Sequence, residues 1–158
     1  MRRTDRERDA QFAYKVMDRC SHGVVAISTG EDAPYCLPLS LVRMGRSLYF
    51  HCAHEGRKAD LLRSHPKVCV SFVAEDTPVF VPPDMYSTYF QSAIATGTAV
   101  EVTQETEKIA ALRALCEKLT PGHMGGAFDQ AIEHSLAVTA VWRIDLDQVT
   151  GKEKAKKI

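Results

Sequence analysis

The chain has 158 residues, 45% hydrophobic and 25% charged, the balance of one soluble globular domain and too apolar for a disordered segment. At that length folding buries roughly 70% of the surface that the unfolded chain exposes, so a core can form without disulfides or a structural metal. Lys and Arg total 20 and so do Asp and Glu, which excludes a general nucleic-acid binder relying on counterion release, leaves room for a local basic pocket, and permits oligomers.

The elements follow in order. Phe12, Ala13, Val16, Met17 and Cys20 recur at helical spacing and predict an amphipathic helix over 6–20. The arginines at 2, 3, 6 and 8 alternate with Asp5, Glu7 and Asp9 as a solvated helix face. GVVAIS, PYCLPLSLV and SLYFHC read as antiparallel strands separated by the turn-like STGEDA and RMGR. Within the second run Tyr35, Leu37, Leu39 and Leu41 share one face, and Pro38 places the strand at an edge, at a bulge or beside a ligand. Gly56 then breaks the third strand, Ala59, Leu61 and Leu62 suit a short helix, and Pro66 follows its end.

KVCVSFVAE returns to strand, and residues 77–91 read as an ordered loop rich in proline and aromatics. SAIATGTAVEV resumes the alternation, with Ile94, Thr96, Thr98, Val100 and Val102 on one side. Thr103 is a candidate cap for a helix whose stripe is Ile109, Leu112, Leu115, Cys116 and Leu119, stopped by Pro121 and Gly122. GHMGGA is a flexible connector, Phe128 and Ile132 mark a short helix, and AVTAVWRIDL turns Val138, Ala140, Trp142, Ile144 and Leu146 to one side. Residues 153–158 read as a disordered basic tail behind a single domain over 1–152. About six strands without regular βαβ alternation predict a small α+β barrel. The chain carries neither a G-x-G-x-x-G nor a P-loop motif.

Chemistry concentrates where the third strand meets the short helix, in His51-Cys52-Ala53-His54-Glu55-Gly56-Arg57-Lys58. Free amides at a helix start attract anions, Gly56 permits close backbone approach, and Arg57 and Lys58 add positive charge, so a phosphate fits there. The plainer reading, a glycine-broken strand followed by a helix with exposed basic residues, stands beside it. A metal held by His51, Cys52 and His54 is disfavoured because neighbours on a strand point to opposite faces. A Cys52–His54 nucleophilic pair lacks a third residue to orient it. His22, His65, His123 and His134 sit alone as surface residues. The odd set Cys20, Cys36, Cys52, Cys69 and Cys116 holds no C-x-x-C pair, so neither a disulfide framework nor a zinc ribbon is expected, and a reducing cytoplasm fits. No apolar segment follows the first arginines and no stretch approaches membrane-spanning length, so export and a membrane partner are not expected.

With these residues in view the chain resembles the FMN-binding split-barrel superfamily, and within it the pyridoxamine 5′-phosphate oxidase-like nitroimidazole-resistance (Nim) proteins. The likeness runs in order from RRTDRE through PYCLPLSLV, LYFHCAHEGRKADLL, VCVSF, QSAIATGTAVEV and TEKIAALRALCEKL to WRIDLDQVTGK. Its specific parts are the H-x-A-x-x-G-x-K of His51, Ala53, Gly56 and Lys58 and the closing Thr150-Gly151-Lys152. The resemblance implies a six-stranded antiparallel split β-barrel, homodimeric, with FMN at the subunit interface. It implies that His51, Cys52, Ala53, His54, Gly56, Arg57 and Lys58 hold the flavin phosphate and that Pro38, Leu39 and Ser40 lie along the ring. Ser92 and Gly97 would come from the partner subunit, Trp142 and Lys152 would lie close by, and His51 would face the substrate as the catalytic group.

One departure stands out: Phe90-Gln91-Ser92-Ala93 replaces the more usual Tyr-Arg-Ser-Val, so a cation is missing from the partner's contribution. The implied activity is electron transfer from NAD(P)H to a small organic acceptor, a nitroimidazole being one candidate, with no nucleic-acid partner. The alternatives are a haem-binding or haem-degrading split barrel, a non-catalytic flavin-binding protein and a deazaflavin-dependent reductase.

Overall fold

The computed structural model describes residues 2–30 and 33–156. Glu31 and Asp32 of the STGEDA turn, and Lys157 and Ile158 of the tail, lie outside the described residues. A 3-10 turn at Thr4–Arg6 leads into β1 (Glu7–Arg8), where the sequence predicted helix. The helix starts later because Asp9 is its cap: Oδ1 accepts the Phe12 amide at 2.8 Å and begins α1 (Ala10–Arg19). Ala13, Val16 and Met17 form its buried stripe, as the spacing predicts.

Seven further strands follow: β2 (His22–Ile27), β3 (Tyr35–Ser40), β4 (Val42–Met44), β5 (Ser47–Ala53), β6 (Lys67–Val81), β7 (Met85–Glu101) and β8 (Thr139–Lys154). Between them lie α2 (Arg57–Ser64), α3 (Glu105–Leu119) and α4 (Gly126–Ser135). All strand pairs are antiparallel in the order β3-β2-β6-β7-β8-β5-β4, with β1 added alongside β8. The molecule is an α+β split barrel. Its sheet exceeds the expected six strands because Leu41 divides the PYCLPLSLV run into β3 and β4 and because β1 pairs at all. Pro38 does lie on an edge strand, since β3 pairs with β2 alone among the described strands.

Two packed layers explain the burial. Inside the curl, α1 and α2 close on Ile27, Phe50, Phe72, Trp142 and Ile144. Outside it, α3 covers β4, β5 and β8 through Ala111, Leu112 and Leu115 against Val42, Tyr49 and Val141. Hence Leu48, Tyr49 and Phe50 are consecutively buried, the pattern of a strand covered on both faces. Lys118 Nζ ties these layers together, donating to Met17 O at 3.1 Å and Leu41 O at 2.8 Å. The cap of α3 is Gln104 rather than Thr103, without a side-chain bond.

Three further expectations need correction. Residues 77–91 are not a loop but the outer half of a hairpin, paired from Thr77↔Tyr89 to Val81↔Met85. Val79, Phe80, Tyr86, Tyr89 and Phe90 favour extended backbone, Pro82 and Pro83 form the turn, and Pro78 sits on the outer side of β6, where no described strand pairs beyond it and its missing donor costs little. The tail is ordered further than expected: β8 continues through Lys154, with Glu153 opposite Gln91 and bonded to Arg8 Nε at 2.9 Å. Val138 leaves the common face of its neighbours, being 68% exposed in a 3-10 turn before β8.

Candidate functional site

The site begins where β5 runs out. His51 is exposed and Cys52 half-buried as the pleat alternates, and the chain then turns through His54 and Glu55 to Gly56. Gly56 has φ 113° and ψ 165°, a left-handed region open to glycine, and it caps α2 with no side-chain hydrogen bond. Among the described residues no acceptor pairs with the amides of Glu55, Gly56, Arg57 or Lys58.

Arg57 and Lys58 stand in the first turn of α2, and neither forms a salt bridge among the described residues. Cations are disfavoured at this end of a helix, where the dipole is already positive. Two cations and a run of amides, all without partners among the described residues, therefore make a cradle whose electrostatics call for an anion. Arg57 lies over the Tyr35 ring at 4.8 Å and Lys58 Nζ lies 5.7 Å from the Phe50 centroid, so aromatic faces hold both side chains in place.

The Arg57–Tyr35 contact also brings the start of β3 to the start of α2. Pro38 and Ser40 then point outward along the open edge, while Leu39 turns into the core. The imidazole of His51 is held below its usual 6.5 by burial against the body of the protein and then by the charge of Lys58. Burial pushes the Cys52 thiol above 9.0, with Lys58 opposing, so this thiol is a poor nucleophile near neutrality. Trp142, 1% exposed, underlies this corner rather than lining it, its ring packed beneath Cys52 and the guanidinium of Arg63.

Behind the cradle lies a polar cluster that the sequence reading missed. Arg63, in the last turn of α2, donates from Nε and Nη2 to Glu101 Oε2 at 3.1 and 3.0 Å. It also donates from Nη2 to His54 O at 3.0 Å, and its guanidinium lies 5.8 Å from the centroid of the Trp142 ring. The only sequence hint was a second arginine in a short helix, and Glu101 gave none, because a register that joins the end of β7 to α2 is invisible in one dimension.

The remaining predicted residues are elsewhere. Ser92 pairs with Lys152, which lies twelve residues along β8 from the partner of Cys52, Ala140, roughly 40 Å along an extended strand. Gly97 sits at the β7–β8 bulge and lines an open groove of about 620 Å³ with Ile27, Pro34, Lys67 and Cys69. That groove contains neither Arg57 nor Lys58. Within one chain, then, the structure gathers β3, His51–Lys58 and Trp142, and leaves Ser92, Gly97 and Lys152 apart. No three His, Cys, Asp or Glu side chains gather as a metal site among the described residues. No helix of the described residues is long and apolar enough to cross a membrane.

Fold and site together define a split barrel with a cationic, uncapped helix start at its open edge. The family model described as pyridoxamine 5′-phosphate oxidase matches residues 9–153, and the chain belongs to that family. No curated protein matches it significantly. Among solved structures, a candidate 5-nitroimidazole antibiotic resistance protein from Bacteroides thetaiotaomicron is 25% identical, with TM-score 0.78 over 91% of this chain and 83% of that one. The flavocytochrome Anf3 from Azotobacter vinelandii is 22% identical, with TM-score 0.81 over 99% of this chain and 72% of the other. An FAD and heme binding protein from Mycobacterium smegmatis is 22% identical, with TM-score 0.74 over 89% and 69%.

Proposed function

We propose that this chain is an FMN-dependent oxidoreductase that works as a homodimer, taking electrons from NAD(P)H to a small organic acceptor. One observation carries the reading: Arg57 and Lys58, without carboxylate partners among the described residues, flank amides that no described acceptor pairs with, at an uncapped helix start. A terminal phosphate monoester near −2 answers that charge and that donor set. The bound flavin would supply the redox chemistry, accepting a hydride and returning electrons to the acceptor.

The chain's own residues bind and orient. Lys58 and Arg57 hold the phosphate, and the Gly56 turn lets backbone donors approach it. Pro38 and Ser40 present an open strand edge against which a flat ring can lie, with main-chain groups free to bond its polar rim. Burial and then Lys58 hold the His51 imidazole below its usual 6.5 and favour its neutral form, in which one ring nitrogen can offer a proton to an acceptor while the other accepts. Ser92 and Lys152, remote within one chain, would complete the site from a second copy.

The dimer has its own support. On β7 the small residues Ala93, Ala95 and Ala99 face the core, while Ile94 is 49% and Val100 39% exposed. A strand that turns its large apolar side chains outward expects cover. The Bacteroides protein described for 5-nitroimidazole resistance makes a nitroimidazole the first acceptor to try.

The test is the absorption spectrum of the purified protein, followed by heat release and identification of the cofactor. Flavin bands with released FMN, and NAD(P)H consumption dependent on a nitroimidazole, are the expected outcome. A Soret band would replace this reading with a haem protein. A colourless protein that takes up no FMN would overturn it.

A further inference from the structure

The anion cradle has few bonds of its own to fix its shape. Gly56 is unrestrained by a side chain, and no side chain caps α2. What secures the turn comes from behind. Arg63 Nη2 donates to His54 O at 3.0 Å, while Glu101 Oε2 holds the same guanidinium at 3.0 and 3.1 Å. His54 is braced again on its ring: Nδ1 lies 3.8 Å from Glu101 Oε1 and Nε2 lies 3.2 Å from Ala137 O.

The peptide unit gives this brace a direction. A trans peptide is planar, with its C=O and its N–H pointing to opposite sides. Fixing the His54 carbonyl on Arg63 therefore turns the Glu55 N–H away from Arg63, on the side where it has no acceptor among the described residues. The end of α2 thus sets the backbone donor that precedes its own start. We propose that Arg63, tethered by Glu101, is the positioning residue of the anion cradle, acting through the His54 carbonyl to aim the Glu55 and α2 amides at the ligand's phosphate. This rests on the reading that the cradle takes the flavin phosphate. Arg63 does not touch the ligand; it touches the turn that does.

Charge and positioning predict opposite signs at Glu101. If only the local field mattered, Glu101→Met would remove a negative charge near an anion and strengthen binding. If Glu101 works by holding Arg63, the same change frees the His54 carbonyl and weakens it. The experiment compares FMN with riboflavin, which lacks the phosphate, in fluorescence titrations of the full-length apo protein. Wild type is expected to favour FMN. Glu101→Met and Arg63→Lys are each expected to lower the FMN-to-riboflavin affinity ratio by about tenfold, the scale on which an outer-shell partner acts, with riboflavin affinity unchanged. Arg63→Lys keeps the charge but cannot span His54 O and Glu101 together.

An unchanged or increased ratio in Glu101→Met, with wild type still favouring FMN, would overturn the positioning role. Equal loss for both ligands would reduce the cluster to general stability and overturn it equally. A wild-type protein that does not distinguish FMN from riboflavin would instead sink the phosphate reading itself. Should Glu101→Met fail to fold, Arg63→Lys decides alone.

Discussion

A Cβ on Gly97 would run into the carbonyl oxygen of Asp145 across the β7–β8 bulge. The obstacle is main chain, which cannot swing aside as a flexible side chain could. Gly97→Ala is therefore expected to destabilise the fold by about 1–3 kcal/mol, the cost of overpacking a tight interior, measured by urea unfolding with no cofactor present. Full stability in that variant would mean the strands can part there, and would leave a ligand contact as the reason for glycine.

Lys118 spans α3, α1 and the β3–β4 junction through two main-chain carbonyls. Burial lowers its pKa from 10.5, yet it remains the donor that both Met17 O and Leu41 O require. Lys118→Met keeps the stem and strands both acceptors, so a loss of about 1–3 kcal/mol is expected in chemical denaturation. A neutral result would show that water satisfies them as well.

His51 should titrate below 6.5, first from burial and then from Lys58. The sign follows from linkage. Between the folded pKa and 6.5 the unfolded chain binds more protons, so stability from this group rises with pH through that window. Below the window the penalty is complete. An NMR titration of Lys58→Met should move the His51 midpoint upward, and a bound anion should do the same in wild type. An unmoved midpoint in both would mean that Lys58 does not face the ring.

The outward Ile94, beside Val24 on β2 across Ser71, is expected to lie under a second copy. Ile94→Lys should leave the circular dichroism intact, halve the mass in size-exclusion with light scattering, and weaken flavin binding together with assembly. A monomeric wild type that binds flavin at full affinity would contradict the shared site.

Much of the fold could be read from local pattern. The stripe of α1, the helix ending before Pro121, the inward leucines of β3 and its edge position under Pro38 all follow from periodicity and proline chemistry. The hairpin over 77–91 did not, because proline and aromatic content speaks for a loop until pairing satisfies the backbone. Nor did β1, whose two charged residues pair only because β8 runs past its expected end. The candidate anion cradle was legible because strand end, glycine, two cations and helix are contiguous in sequence. Arg63 and Glu101 were not, since 38 residues separate them and only the fold joins them. Trp142, expected close to the cofactor, packs in the core beneath the candidate cradle, a depth that position in sequence does not disclose.

If α2 begins with an anion site for a flavin phosphate, isothermal titration of the apo protein with FMN reads it most directly. Saturable binding of one FMN per chain is expected, with Lys58→Ala weakening it by about 1.5–3 kcal/mol, the scale of a charge-assisted hydrogen bond. No binding to wild type, or an affinity untouched by Lys58→Ala, would contradict it.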